Sequence, residues 1–149
     1  MKSFKILSIL FLSFFFISST FAANKLSDKD KAAVKKTIQE FVTNLDKGNV
    51  NGVKSTISDK STFVQVNGIT NKSTQYTSDD YLSAIKDRSI GGWERQLEIM
   101  DVNAAGNTAM AKIQTKDPRT TSTGFVTLLK ENNNWKIISC TLFMELNQK

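Results

Sequence analysis

Histidine is absent from this sequence of 149 residues, and cysteine occurs once, as Cys140. Without histidine the chain lacks the commonest zinc ligand and the commonest general base. Zinc sites and serine-type triads are therefore disfavoured, and we expect neither a metal nor a cofactor. A single cysteine cannot form a disulfide within the chain. The fold must therefore be held together by its core.

Concentrated basic charge is also missing. The formal net charge is +6, yet no run of Lys or Arg alternates with aromatic residues. Surfaces that bind nucleic acid usually carry a concentrated basic stripe. Dispersed charge of this size serves solubility, and we expect no nucleic-acid partner.

Aromatic residues become scarce beyond the N-terminus. Of the ten phenylalanines, those after residue 22 are Phe41, Phe63, Phe125 and Phe143. The first 22 residues open with Lys2 and Lys5, continue as an apolar run and end in small residues, which is typical of a secretory signal peptide. The run is shorter than the about 20 residues that span a membrane. We predict cleavage after Ala22 and an exported protein, periplasmic or secreted, with an uncleaved anchor as the alternative.

Residues 23–149 have the length of one domain. Ser27 is a natural N-cap for a helix that stops at Gly48. The apolar residues of this helix share one face, namely Val34, Ile38, Phe41, Val42 and Leu45. A short helical turn is predicted in "NVNGVKSTIS". A further helix, "SDDYLSAIKDR", is predicted with Ser78 as its N-cap and Gly91 and Gly92 as its end.

Strand signals occupy the rest of the chain. "STFVQVNG" alternates as a strand, and "NKSTQYTS" is predicted as its partner. A four-strand meander follows, with predicted strands at Trp93–Val102, Ala109–Thr115, Thr123–Lys130 and Trp135–Leu146. Helices on one side of an antiparallel sheet make an α+β fold.

Three segments carry a resemblance to a known superfamily. "DKAAVKKTIQEFVTNLDKGNVNGVKSTISDKSTFV", "EIMDVNAAGNTAMAKI" and "GFVTLLKENNNWKIISCTLF" together resemble the nuclear transport factor 2-like (NTF2-like) superfamily. The similar branch is that of small exported bacterial proteins named for lumazine binding. The resemblance implies a strongly bent antiparallel sheet wrapped around the N-terminal helices. It also implies a cone with one open end for a ligand or an active site, and a homodimer formed on the other face of the sheet.

Two positions depart from the branch. Gly124 stands where the branch has Asp before an aromatic residue, and Cys140 stands where it has Lys. Folding the chain back at "NNN" brings Gly124 and Cys140 near each other across a hairpin. Chemistry that depended on the Asp and Lys is therefore in doubt in this chain.

Five residues are candidates for the lining of the pocket, namely Trp93, Phe41, Phe63, Phe125 and Cys140. Trp93 follows Gly91 and Gly92, where the mouth of the cone would lie. Phe41 and Phe63 also fit a plain core, and alternation alone does not decide which face of the sheet Phe125 occupies. Cys140 fits a small buried apolar residue, because no cation or base that would activate a thiolate is evident.

Acid–base catalysis would need a carboxylate or phenol inside an apolar pocket. The weak candidates are Asp101, Glu98, Tyr81 and Tyr76. In "WERQLEIMDV" neither face is cleanly apolar, so the two carboxylates also fit an exposed position.

Two classes of function follow. The first is an exported binding module for a small apolar ligand or a partner protein. The second is a cone-pocket enzyme of the isomerase, dehydratase or cyclase type that acts on a hydrophobic small molecule. The absence of histidine and the two departures favour binding. A homodimer is also expected, because strands of the last hairpin are apolar on both faces.

Overall fold

The computed structural model describes residues 27–147, and the expected signal peptide, residues 1–22, lies outside this range. Three helices and six strands follow in the order α1 (Asp28–Asp46), α2 (Val50–Thr56), β1 (Ile57–Asn67), β2 (Ser73–Thr77), α3 (Ser78–Lys86), β3 (Gln96–Ala105), β4 (Thr108–Lys116), β5 (Thr120–Glu131) and β6 (Asn134–Leu146). Within the described range, no helix is both long and apolar enough to cross a membrane.

Helix α1 forms as its sequence predicts. The Ser27 side chain accepts a hydrogen bond from the Asp30 backbone N–H at 3.0 Å, which caps the first turn. The predicted apolar face is buried in full, with Val34 and Ile38 completely inaccessible. Gly48 ends the helical segment with a φ of 64°, a left-handed conformation that favours glycine.

The N-cap of helix α3 lies one residue earlier in the chain than predicted. Thr77, not Ser78, is the N-cap, and it forms a capping box with Asp80. Ser78 lies inside the first turn, where its hydroxyl donates to the carbonyl oxygen of Asp59 at 2.5 Å. The Ser78 hydroxyl therefore ties α3 to β1.

The six strands form one bent sheet in the order β2-β1-β6-β5-β4-β3. All pairings are antiparallel except that of β1 with β6, which is parallel. The predicted α+β fold and the meander from β3 to β6 are confirmed, and the sheet is mixed because of this one pairing. The helices cover its concave face.

The third predicted strand starts later than expected, at Gln96 instead of Trp93. Gly91 and Gly92 have φ values of 76° and 82°, so the chain turns there and cannot extend. The backbone N–H of Arg95 donates to the Asp46 carboxylate on α1 and not to a neighbouring strand. Trp93 therefore lies in the loop between α3 and β3.

The core lies between the concave face and the helices. Its centre is an aromatic cluster in which Phe63 stacks on Tyr81, with ring centroids 4.0 Å apart, and on Phe41, at 5.9 Å. Trp135 closes the far end against α1, where its indole N–H donates to the Asp30 carboxylate at 3.2 Å. The open end of the core, opposite Trp135, is where a cavity remains.

Candidate functional site

A cavity of about 240 Å³ opens between α1, the loop after α3 and the concave face of the sheet. Most of its walls are apolar, and these side chains come from every layer of the fold: Phe41, Val42, Leu45, Tyr81, Ile90, Trp93, Ile113, Cys140, Leu142 and Met144. The polar part of the wall consists of Gln65, Ser89, Arg95, Thr115, Asp117, Thr120 and Ser122.

The deep wall is formed by Phe41, Tyr81 and Cys140, each of which is almost fully buried. Phe41 comes from α1, Tyr81 from α3 and Cys140 from β6. Phe63 stacks behind Phe41 and Tyr81 and does not border the cavity. Phe41, Tyr81 and Cys140 therefore form the floor of the cavity, and the Phe63 ring packs behind this floor.

Both ionisable groups of the deep wall stay neutral at neutral pH. Burial raises the pKa of the Cys140 thiol to about 12. Burial also raises the pKa of the Tyr81 phenol far above its ordinary value, with Cys140 acting in the same direction and Arg95 opposing it. Tyr81 can therefore donate a hydrogen bond into the cavity, and Cys140 behaves as a small apolar residue.

Trp93 and Arg95 lie at the mouth of the cavity, and Asp46 of α1 holds Arg95 without bordering the cavity itself. Arg95 Nε donates to Asp46 Oδ1 at 2.6 Å, the backbone N–H of Arg95 donates to Asp46 Oδ2 at 3.0 Å, and Arg95 Nη2 also lies against Oδ1. Both side chains of the pair are only 13% exposed. The guanidinium lies 5.6 Å from the centroid of the Trp93 ring, within range of a cation–π contact.

Asp117 lies beside Arg95 at the mouth, in the turn between β4 and β5, because Gln96 of β3 pairs with Lys116 of β4. Its carboxylate accepts hydrogen bonds from the backbone N–H groups of Arg119 and Thr120, at 2.7 and 2.9 Å, and from the Thr120 hydroxyl at 2.8 Å. Burial raises the pKa of Asp117, but these hydrogen bonds outweigh it and hold the pKa below its ordinary value. Asp117 is thus a fixed negative charge that shapes the turn.

Four predicted site residues meet at the cavity. Trp93, Phe41 and Cys140 line it as expected of pocket residues, and Tyr81 is the one catalytic candidate that borders it. Tyr76 packs edge-on against Tyr81, with ring centroids 5.9 Å apart, and does not border the cavity.

Phe125 lies away from the cavity, on the convex face of the sheet, and is 49% exposed. Its neighbours Gly124 and Val126 are buried on the concave face, so alternation along β5 turns Phe125 outward. The hairpin also pairs Gly124 with Leu142 and Cys140 with Val126. Gly124 and Cys140 are therefore diagonal neighbours on the concave face and not direct partners.

The two carboxylate candidates on β3 do not reach the cavity. Glu98 and Asp101 are both exposed. Glu98 points outward by simple alternation, between Leu97 and Ile99, which pack on the core. A bulge between Ile99 and Asp101 adds Met100 to the strand and turns Asp101 outward as well. Asp101 is occupied locally, accepting from the Val102 backbone N–H at 2.8 Å and from Asn103 Nδ2 at 2.6 Å.

Sequence reasoning did not identify Arg95, Asp46 or Asp117 as parts of a site. Arg95 could have been found from its position just after Gly91, Gly92 and Trp93. Its partner Asp46 is 49 residues away in the chain, so no local pattern joins them.

Comparison with known proteins agrees with this architecture. A sequence model of the family described as "Putative lumazine-binding" matches residues 29–142. A search of curated proteins finds no match.

Solved structures share the fold at low sequence identity. An NTF2-like protein of unknown function from Shewanella baltica OS155 is 20% identical, with a TM-score of 0.68 over 85% of this chain and 100% of its own. Another from Methylobacillus flagellatus KT is 15% identical, with a TM-score of 0.70 over 81% and 96%. A ketosteroid isomerase-like protein from Erwinia carotovora atroseptica SCRI1043 is 12% identical, with a TM-score of 0.64 over 79% and 98%. At these identities the likeness concerns the fold alone.

Proposed function

Since the chain belongs to the family described as "Putative lumazine-binding", with an NTF2-like fold, we propose that its cone binds a small, largely apolar molecule. The observation that carries the proposal is the cavity of about 240 Å³ whose floor is Phe41, Tyr81 and Cys140. A cavity of roughly 150 Å³ accepts benzene in a protein core. The cone therefore has room for a molecule of one or two rings.

The walls support binding by apolar contact. Burial of a ligand against them contributes roughly 25 cal/mol per Å² of apolar area, before the cost of ordering the ligand. Polar groups concentrate at Arg95 and Asp117 and along one wall that includes Thr115 and Ser122. This distribution favours a ligand with an apolar body and a polar end.

The enzymatic alternative draws less support from the same walls. Glu98 and Asp101, the carboxylates proposed for proton transfer, are exposed and do not border the cavity. Tyr81 borders it with a pKa raised by burial, so this phenol is a hydrogen-bond donor and not a base near neutral pH. We therefore propose binding and not turnover.

A pair of variants at adjacent positions tests the proposal. Leu142 faces the cavity, and Phe143 faces the opposite side of the same strand. Calorimetric titration of the wild type with small naphthalene derivatives should show saturable binding. Leu142→Trp should weaken that binding at least about tenfold by filling the cavity, and Phe143→Trp should not. Absence of binding to the wild type, or equal affinity of both variants, would contradict the proposal.

We also propose a homodimer through the convex face of the sheet. Met110, Phe125 and Phe143 are exposed there, at 40–49% of their surface. Val66 pairs with Phe143 across β1 and β6, which extends the apolar surface. A solvated sheet face would carry polar residues at these positions, and apolar patches of this kind mark interaction sites.

Export is proposed from the first 22 residues. The charged start, the apolar run and the small residues before Ala23 are the observations behind it. Intact-mass measurement of the protein recovered outside the cytoplasm should show a chain that begins at Ala23. Recovery of the full-length chain in the membrane fraction would contradict export with cleavage.

A further inference from the structure

The Thr115 hydroxyl is an exception among the buried serine and threonine side chains of residues 27–147. These side chains are those of Thr56, Ser61, Ser78 and Thr115. The hydroxyls of the first three donate to backbone carbonyl oxygens at 2.5–2.7 Å. Thr115 lies on the concave face of β4 and is only 5% exposed, yet its hydroxyl has no hydrogen-bond partner within this range. Buried polar groups are hydrogen-bonded as a rule, so this exception indicates a partner from outside the chain.

The Thr115 hydroxyl opens into the cavity. In the part of the chain that the structure describes, the side-chain nitrogen or oxygen that lacks a partner and is also closed to water is Arg95 Nη2. The Thr115 hydroxyl is therefore open to water, and the open space that Thr115 borders is the cavity. A ligand that fills the cavity displaces this water, so it must offer the hydroxyl a hydrogen-bonding group in exchange.

A second hydroxyl lies directly beside the first. Ser122 of β5 is the cross-strand partner of Thr115, and both residues line the cavity. Side chains at such opposite positions have Cβ atoms about 4.5–5.5 Å apart. The Ser122 hydroxyl also lacks a hydrogen-bond partner among the described residues, whereas the hydroxyl of its convex neighbour Thr123 accepts from Gln114 Nε2 at 3.1 Å. Two hydroxyls from adjacent strands thus face the cavity side by side.

The charged groups of the cavity wall are engaged within the protein. Arg95 is paired with Asp46, and the Asp117 carboxylate accepts three hydrogen bonds inside its own turn. Asp117 is two residues from Thr115 in the chain, so its negative charge disfavours an anion beside the two hydroxyls. A hydroxyl both donates and accepts. Thr115 and Ser122 therefore suit an uncharged group that carries an acceptor oxygen next to an N–H.

We propose that Thr115 and Ser122 form a neutral subsite that binds an uncharged amide at one end of an apolar ligand. One hydroxyl donates to the amide oxygen, and the other accepts from the amide N–H. The apolar body of the ligand extends from this subsite toward the floor of the cavity. This inference rests on the proposed binding function and names the class of ligand, an apolar amide and not a carboxylate.

Three probes of nearly equal size and shape test the inference on the wild-type protein. Naphthamide carries the amide, isopropenylnaphthalene replaces it by an apolar group of the same shape, and naphthoate replaces it by a carboxylate. In calorimetric titrations naphthamide should bind about tenfold more tightly than the alkene, as expected for two hydrogen bonds made in exchange for water. Naphthoate should bind more weakly than naphthamide.

A double variant assigns the effect to the two hydroxyls. Thr115→Val replaces a hydroxyl by a methyl group of similar shape, and Ser122→Ala removes the other hydroxyl. In the double variant the preference for naphthamide over the alkene should fall several-fold, while the affinity for the alkene stays near the wild-type value. Thr123→Val makes the same change on the convex face, next to Ser122, and should change neither affinity.

Stability provides a readout that needs no ligand. Thr115→Val removes a hydroxyl that the protein does not use, so the midpoint of urea denaturation should stay at the wild-type value or rise. Thr56→Val removes an equally buried hydroxyl that donates to the Val53 carbonyl oxygen at 2.7 Å, and it should lower the midpoint. If Thr115→Val lowered the midpoint as much as Thr56→Val, the Thr115 hydroxyl would serve the fold and the inference would be wrong.

The outcomes separate this inference from the proposed function. If no probe binds, the proposed function itself fails. If naphthamide and the alkene bind equally, the cavity binds apolar molecules but the amide subsite is wrong. If naphthoate binds most tightly, the polar end is an anion site and the inference is overturned.

The Tyr81 hydroxyl on the floor is the rival polar group of the cavity. If Tyr81→Phe removes the preference for naphthamide and the double variant keeps it, the amide lies on the floor and the inference is overturned. Should the double variant fail to fold by circular dichroism, Ser122→Ala alone decides, and an unchanged preference for naphthamide in that variant contradicts the subsite.

Discussion

At the scale of single residues, two positions in the hairpin of β5 and β6 require small residues, namely Gly124 and Cys140. Gly124 lies where a Cβ atom would come 1.9 Å from the Thr141 carbonyl oxygen, a backbone atom that cannot rotate away. Cys140 supplies a small buried side chain to the cavity floor. Both positions therefore serve packing in this chain, where the related branch was expected to have an acid and a base.

We predict that Gly124→Ala lowers the free energy of unfolding by about 1–3 kcal/mol, because β5 and β6 must separate to admit the methyl group. Urea denaturation followed by circular dichroism measures the change. Thr123→Ala, on the neighbouring convex position, is the control and should cost less than about 1 kcal/mol. An unchanged stability of Gly124→Ala would show that the two strands can relax around a side chain.

Cys140 gives a prediction about pH. Its folded-state pKa of about 12 lies above the ordinary value of 9.0, so the folded state retains a proton that the unfolded state loses. The resulting stability is present in full below pH 9 and is lost as the pH rises toward 12. Cys140→Ala should therefore lose less stability than the wild type over this range. If the free energy of unfolding of the two proteins fell by the same amount over this pH range, the result would contradict a buried thiol.

Replacement of Cys140 should also spare ligand binding. Cys140→Ser should lower the free energy of unfolding by roughly 1 kcal/mol, the cost of a poorly satisfied buried hydroxyl. Its affinity for the naphthalene probes should remain within a few-fold of the wild type in the same titrations. Loss of binding with an intact circular dichroism spectrum would mean that the thiol makes a specific ligand contact.

At the scale of elements, α1 is joined to the last hairpin by one carboxylate. Asp30 accepts hydrogen bonds from Lys130 Nζ at 2.8 Å and from the Trp135 indole at 3.2 Å, and also from the hydroxyl of the N-cap Ser27 at 2.9 Å. The hydrogen bond from Lys130 is the main reason that the pKa of Asp30 falls from 3.8 to about 2. This contact holds the closed end of the cone, far from the cavity.

Asp30 should therefore contribute to acid stability. Its folded-state pKa is depressed, so the stabilisation is present above about pH 4 and is lost as the pH falls toward 2. We predict that Asp30→Asn lowers stability at neutral pH and flattens the loss of stability between these two pH values. Asp28→Asn, in the same helical turn but without an ion pair among the described residues, is the matched control in thermal unfolding scans. If both variants lost the same stability as the pH fell over this range, the result would contradict the prediction.

At the scale of the whole molecule, the two faces of the sheet have different surroundings. Its concave face lines the core and the cavity, and its convex face carries Met110, Phe125 and Phe143 exposed to solvent. The first face is proposed to hold a ligand and the second to hold another copy of the chain. Because the two faces are separate, dimerisation and ligand binding can be tested independently.

We predict that the protein sediments as a dimer at micromolar concentration and that Phe125→Lys converts it to a monomer. A charge at this position would be buried without a partner in the interface. Ile69→Lys, in the turn between β1 and β2, replaces another exposed apolar residue and should leave the dimer intact. Sedimentation velocity that shows only monomer for the wild type would contradict the prediction.

Much of the fold could be read from the sequence because its patterns are local. The apolar face of α1 repeats with the helical period, and Ser27 and Gly48 mark its ends. The turns at Gly106 and at Asn132 and Asn133 separate strands whose bounds match the prediction within a few residues. Two boundaries differ, at Ser78 and Trp93, where a tertiary contact competes with the local signal. The parallel pairing of β1 with β6 was not predicted either, because it joins strands far apart in the chain.

The sequence alone determined the fold class, the helical cores and the hairpin order, because each depends on periodicity and turn residues within a short window. It also named Phe41, Trp93 and Cys140 as candidates for the pocket lining, and the structure has all three at the cavity wall. Only the tertiary structure decided that Phe125 faces outward, that the bulge at Met100 turns Asp101 outward, and that Asp46 holds Arg95 at the mouth. These facts depend on strand register and on contacts between residues far apart in the chain, and neither leaves a local pattern in the sequence.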